Sequence, residues 1–150
     1  MATQTGGIRV MLVDDQRMVR EGLRSMLETV PNIEVVGEAG DGQEAMACIG
    51  ELNPHVVVMD INMPKMDGLA ATRLVTTHYP YVAVVGLSVT EDRYHQAAME
   101  RAGAVRVMTK GKHRLDELCQ EIEKAAAAMQ FLSHRKVRVH LPSDLRRRPA

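Results

Sequence analysis

The chain is 150 residues long, enough for one domain with a buried core and a short appendage. No run approaches the roughly 20 apolar residues of a bilayer-spanning helix, residues 1–7 lack a signal-peptide core, and the only two cysteines, Cys48 and Cys119, exclude a disulfide framework or a cysteine-rich metal knuckle. The formal charge of zero conceals a division: residues 133–150 hold six Lys or Arg and one Asp, leaving 13 basic and 18 acidic residues to the rest, so an acidic domain carries a basic tail.

Two hydrophobic periods alternate along the chain. Ile8 to Val13 is a short apolar, β-branched run, predicted as a first strand that ends at Asp14 and Asp15. Val19, Leu23, Met26 and Leu27 then recur at helical spacing until Pro31 closes the helix. Ile33 to Val36 is predicted as the second strand, with Gly37, Gly40 and Gly42 marking its exit. Asp41 is placed to cap the next helix and Glu44, three residues on, completes a capping-box pattern. Ala45, Met46, Cys48, Ile49 and Leu52 give that helix its apolar side.

Val56 to Met59 is apolar throughout, as expected of a strand buried on both faces, and it stops at Asp60. Pro64 and the Asp67-Gly68 turn signal hold the following segment irregular, so the next helix is expected from about Met66 to Thr77. Val82 to Leu87 is a fourth strand ending at Ser88, Glu91 to Ala102 a helix, Val105 to Thr109 a fifth strand, and the last helix begins at Leu115. Its stripe of Leu115, Leu118, Cys119, Ile122, Ala125, Ala126 and Met129 faces a core, and both cysteines fall on such stripes as buried thiols. Five strands interleaved with five helices predict a doubly wound parallel α/β sheet, because parallel neighbours need right-handed crossovers.

In such sheets ligands bind at the carboxyl ends of the strands. The residues there are Asp14 and Asp15, Asp60, Ser88 and Lys110, five polar groups from four strands. Three carboxylates so placed repel one another unless a cation joins them, and oxygen donors of this kind suit Mg²⁺. An ammonium and a hydroxyl stabilise the equatorial oxygens of a phosphoryl group in flight, and an aspartate accepts that group as an acyl phosphate. A buried ion-pair network without chemistry would not require a surplus of carboxylates at an exposed edge.

The blocks VMLVDDQRMVREGL, VVVMDINMPKMDGLAATR, VVGLS and AGAVRVMTK, in this order and spacing across about residues 8–128, resemble the receiver domain of two-component response regulators, most closely the NarL/FixJ-type subfamily. The resemblance implies a flavodoxin-like (βα)5 sheet of strand order 2-1-3-4-5. It implies that Asp60 is the phosphoacceptor for a sensor histidine kinase, and that Asp15 and Asp60, with the backbone carbonyl of Asn62, hold Mg²⁺ while Asp14 acts through water. Ser88 and Lys110 would grip the phosphoryl oxygens. Such a protein is no enzyme beyond catalysing its own phosphorylation and dephosphorylation, and it is expected in the cytoplasm.

Some positions depart from the family's pattern. Val107 stands where receivers usually carry an aromatic ring that rotates on activation, Arg106 replaces the usual glycine before it, and Gly111 replaces the common proline after Lys110. Either the conformational bias is altered, or Val107 packs as an ordinary strand residue and the switch runs through Ser88. Asn62, Val89 and Thr90 occupy the positions that tune phosphoryl lifetime in the family. None supplies an added base, so rapid self-hydrolysis is not expected.

The domain plan is therefore an N-terminal extension over 1–7, a receiver over 8–128, and a helix overhang with a basic, flexible tail over 129–150. The apolar alternation of Val137, Val139 and Leu141 admits a short strand, and His134 and His140 are isolated and read as no metal ligands. The tail resembles no effector domain, so nucleic acid would be met only through its basic residues or through a helix-turn-helix outside this chain. Homodimerisation through the fourth helix, fifth strand and fifth helix is common in the wider family. A degenerate receiver acting as a constitutive docking module is the remaining alternative.

Overall fold

The computed structural model describes residues 7–63, 66–89, 91–111 and 114–137, with side chains to residue 129. Five strands, β1 (Ile8–Val13), β2 (Ile33–Ala39), β3 (Val56–Asp60), β4 (Ala83–Ser88) and β5 (Arg106–Thr109), alternate with five helices, α1 (Arg17–Leu27), α2 (Gly42–Leu52), α3 (Gly68–His78), α4 (Arg93–Ala102) and α5 (Leu115–Val137). The sheet is parallel with order β2-β1-β3-β4-β5. β1, β3 and β4 occupy its interior, which is why their sequences read as continuous apolar runs.

Alternate residues of those three strands feed two cores. Val10, Leu12, Val56, Val58, Ala83, Val85 and Leu87 pack with Leu27 of α1 and with Leu118, Cys119, Ile122, Ala125 and Ala126 of α5. Met11, Val13, Val57, Met59 and Val84 face the other way, onto Ala45 and Ile49 of α2, Ala71 and Val75 of α3 and Met99 of α4. Strand periodicity of two thus sorts one sheet into two layers.

The helix starts follow from short polar side chains. Asp41 accepts from the Glu44 N–H at 2.8 Å and Asp67 from the Ala70 N–H at 2.8 Å. Asp92 takes the Tyr94 N–H at 2.9 Å, which places the start of α4 at Arg93, two residues later than its apolar pattern implies. Glu44 reaches back not to Asp41 but to the Gly40 N–H at 3.0 Å, so the box closes one residue early. Gly103 ends α4 at φ 116°, and a Cβ there would lie 2.5 Å from Thr76 of α3, so glycine is required twice over.

Other boundaries differ from expectation as well. β2 runs on through Gly37 to Ala39, because a register shift between Val10 and Met11 skips Val36 and pairing with β1 resumes at Met11↔Gly37. β4 begins at Ala83 and β5 at Arg106, one residue late in each case, and α3 begins at Gly68 once Asp67 has capped it. On α1, Met26 is 43% exposed at the rim of a groove against α5. Cys48 is partly buried and Cys119 buried, as expected of core thiols. Residues 138–150, with Val139, His140 and Leu141, lie outside the described residues. Among those described, no helix is long and apolar enough to cross a membrane.

Candidate functional site

Register fixes which groups meet. Val13 pairs with Met59, Asp60 with Leu87 and Ser88 with Thr109, so Asp14, Asp60, Ser88 and Lys110 emerge side by side at the carboxyl edge. The ladder is carried past the strand ends by the Ile61 N–H to the Leu87 carbonyl at 3.0 Å and the Lys110 N–H to the Ser88 carbonyl at 2.7 Å. Asp14, Asp60 and Ser88 are all buried. Asp15 and Asn62 are exposed at the rim.

Asp14, Asp15 and Asp60 form one cluster, with a carboxylate oxygen from each lying within 4.8 Å of the others. The Lys110 ammonium bridges two of them, 2.7 Å from Asp14 Oδ2 and 3.3 Å from Asp60 Oδ1. Asp60 Oδ1 also accepts the Asn62 N–H at 3.2 Å, and Asp14 Oδ1 the Gln16 N–H at 2.9 Å. Asp14 Oδ2 has the ammonium beside it but no well-directed hydrogen bond. Three carboxylates against one ammonium leave negative charge uncompensated, and the donor set is all oxygen, so the residues present fit a hard divalent cation.

The electrostatics agree. Burial, then the neighbouring Asp14 charge, push the Asp60 carboxyl up to about 6, against the opposing pull of Lys110 and the Asn62 N–H. Burial alone would lower Lys110, but the close approach of the Asp14 carboxylate and the charge of Asp60 outweigh it and raise its pKa above the ordinary value. Lys110 therefore stays charged while it neutralises part of the cluster.

Asp14, Asp60, Ser88 and Lys110 lie together at the carboxyl ends of their strands, with Asp15 beside Asp14. Val89 projects into solvent, 61% exposed. Thr90 lies outside the described residues. Val107 is half-buried against the α4 side of the sheet, near Gly86 of β4, and Arg106 is exposed with its guanidinium 3.5 Å from Glu121.

Two residues that sequence patterns did not single out also shape the site. Gly68 opens α3 directly over β3, where an added Cβ would sit 2.0 Å from the Asp60 carbonyl oxygen. Arg20 reaches from α1 to the Asp14 carbonyl. Gly68 read only as part of a turn signal and Arg20 drew no reading; its one trace in the sequence is its spacing to Arg24, which places two cations opposite Glu38 of β2.

A doubly wound parallel sheet of this order, with an acidic cluster and a lysine at its carboxyl edge, defines a flavodoxin-like signalling domain. The chain belongs to the response regulator receiver domain family, whose sequence profile matches residues 10–123. It is 38% identical over 126 residues to the response regulator GacA of Pseudomonas protegens, covering 84% of this chain and 59% of that protein. To the transcriptional regulatory protein DegU of Brevibacillus brevis it is 34% identical, over 93% of this chain and 58% of that one. The chain thus spans under two thirds of the length of these relatives. Among solved structures, the response regulator domain of Thermotoga maritima CheB superposes with a TM-score of 0.75 at 33% identity, over 81% of this chain and 97% of that one. A LuxR-family two-component response regulator from Aurantimonas superposes with a TM-score of 0.77 at 34% identity, over 81% and 86%.

Proposed function

We propose that Asp60 is the phosphoacceptor of this receiver, taking a phosphoryl group, in the cytoplasm, from the phosphohistidine of a sensor histidine kinase. The observation that carries this reading is the Lys110 ammonium spanning Asp14 and Asp60 at the mouth of the acidic cluster. Asp60 Oδ1 is engaged by Lys110 and by the Asn62 N–H, so the other carboxylate oxygen is the one offered to phosphorus. A new O–P bond forms there as the donor's P–N bond breaks, and the departing electron pair returns to the imidazole nitrogen. Lys110 and the Ser88 hydroxyl then meet the equatorial phosphoryl oxygens, and the fixed sheet edge supplies orientation.

Asp15 and Asp60, with the backbone carbonyl of Asn62, would hold Mg²⁺, and Asp14 would act through water. When bound, the ion supplies positive charge where the transferring group is most negative. The domain plan proposed is a receiver over 8–128 followed by a helix overhang and tail. Asp60→Asn is expected to abolish labelling by acetyl phosphate and Mg²⁺, read as the loss of the phosphoryl adduct in intact-protein mass. Equal labelling of wild type and variant would remove Asp60 from its role.

A second reading, the receiver half of a transcriptional regulator, is favoured by the length comparison with DegU, of which this chain spans 58%. The mass of the native gene product decides it. A polypeptide of the relatives' length supports an effector domain, and one ending at Ala150 excludes it.

A further inference from the structure

We infer that Arg20 is a positioning residue whose guanidinium holds the β1–α1 loop so that the acidic pair Asp14-Asp15 is presented ready-formed to a divalent cation; this rests on the cation-binding reading above. Arg20 Nη1 donates to the Asp14 carbonyl oxygen at 2.5 Å. That carbonyl belongs to the peptide plane joining Asp14 to Asp15, and a planar peptide fixed at its oxygen leaves few torsions by which the Asp15 carboxylate can drift. On the other side of the same residue, the Asp14 N–H donates to the Ala39 carbonyl of β2 at 3.1 Å. The Asp14 backbone is therefore gripped by the edge strand through its N–H and by α1 through its carbonyl.

Arg20 is itself tied to the edge strand. Arg20 Nε pairs with Glu38 Oε1 at 3.2 Å, while Glu38 Oε2 takes Arg24 Nε at 2.7 Å. The Arg20 side chain is only 17% exposed, so the contact is made in a partly desolvated setting where a charge-assisted hydrogen bond is strong. Only a guanidinium, with several donors in a rigid fork, can serve the loop carbonyl and Glu38 together. The N-cap residue of α1, Gln16, makes no side-chain capping bond, so the loop lacks the usual local anchor and depends on Asp14 and Arg20. Arg24 provides an internal contrast, since it shares Glu38 but among the described residues its side chain pairs with Glu38 and Glu28 and not with the loop.

The test is a calorimetric titration with Mg²⁺ alone of wild type, D15N, R20M, R20K and R24M, each first shown by thermal melting to be folded. D15N is expected to lose most of the binding. R20M is expected to weaken it about tenfold, at the lower end of the range for residues that orient metal ligands, with R20K intermediate and R24M within about twofold of wild type. Wild-type affinity in R20M, together with loss in D15N, would overturn the role of Arg20 and leave the cation site standing. Equal weakening by R20M and R24M would overturn it too, by reducing it to general stabilisation of α1. Undiminished binding in D15N would instead overturn the cation site itself. Where R20M does not fold, R20K is read in its place, and unchanged affinity there counts against the inference.

Discussion

Asp60 is the residue on which opposing forces are most evenly matched. Its carboxyl is raised from 3.8 to about 6, first by burial and then by Asp14, so the folded domain holds this proton more tightly than the unfolded chain. A raised carboxyl contributes stability that is full below about pH 4 and is lost as pH rises through about 6. In EDTA, Asp60→Asn should therefore be more stable than wild type at pH 8, by on the order of 1 to 3 kcal/mol, and the gap should shrink toward pH 4.5. Denaturant unfolding of both proteins at the two pH values measures it, and a gap that is flat or widens on acidification contradicts the assignment. Adding Mg²⁺ should then stabilise wild type more than the variant, because a ligand that binds only the folded state raises stability by mass action. Asp60 was readable from sequence because an apolar strand ended on it. Arg20 was not, because its work is done through a backbone carbonyl that no side-chain pattern reports.

Among the elements, the β3–α3 junction has the least room. The Gly68 N–H donates to the Ile61 carbonyl at 2.9 Å, and its α-carbon lies so close to β3 that any side chain meets the Asp60 carbonyl. Gly68→Ala must lift the start of α3 off the strand, at a cost of roughly 2 to 4 kcal/mol, and should lower labelling of Asp60 as well as the melting temperature. Gly22, exposed within α1, meets nothing within 4 Å. Gly22→Ala should gain roughly 0.5 to 1 kcal/mol from helix propensity alone. Thermal melts of the pair separate a glycine needed for space from one that is not, and comparable effects in both would refute the contrast. Interior elements such as β1 and β3 were legible because burial on both faces leaves an unbroken apolar signature. β2 was cut short in the sequence reading because an edge strand tolerates Gly37 and Glu38, which look like an exit until pairing with β1 is seen.

At the scale of the molecule, α5 decides where the domain ends. Ala125 and Ala126 are buried and Met129 packs on the same core, whereas the helix itself continues to Val137. A chain ending at Met129 should keep one cooperative unfolding transition, while ending it at residue 125 removes two of those contacts and should lower the melting temperature by several degrees, at about 4 °C per kcal/mol for a domain between the small and large size classes. Cooperative melting of both at the wild-type temperature would mean that Ala126 and Met129 contribute little to the core. Sequence patterns found the apolar stripe of this helix but not how far the helix outlasts it, since a helical period is no longer legible in the sequence after Met129.

That overhang has a geometric corollary. At roughly 1.5 Å of rise and 100° of turn per residue, the eleven positions after Ala126 carry the polypeptide about 16 Å outward while winding it about three times around the axis. Whatever is joined beyond Val137 is aimed by that winding. Deleting a single residue between 130 and 137 would swing it by roughly a quarter of a circle, whereas deleting about seven, close to two whole turns, would shorten the reach and leave its bearing almost unchanged.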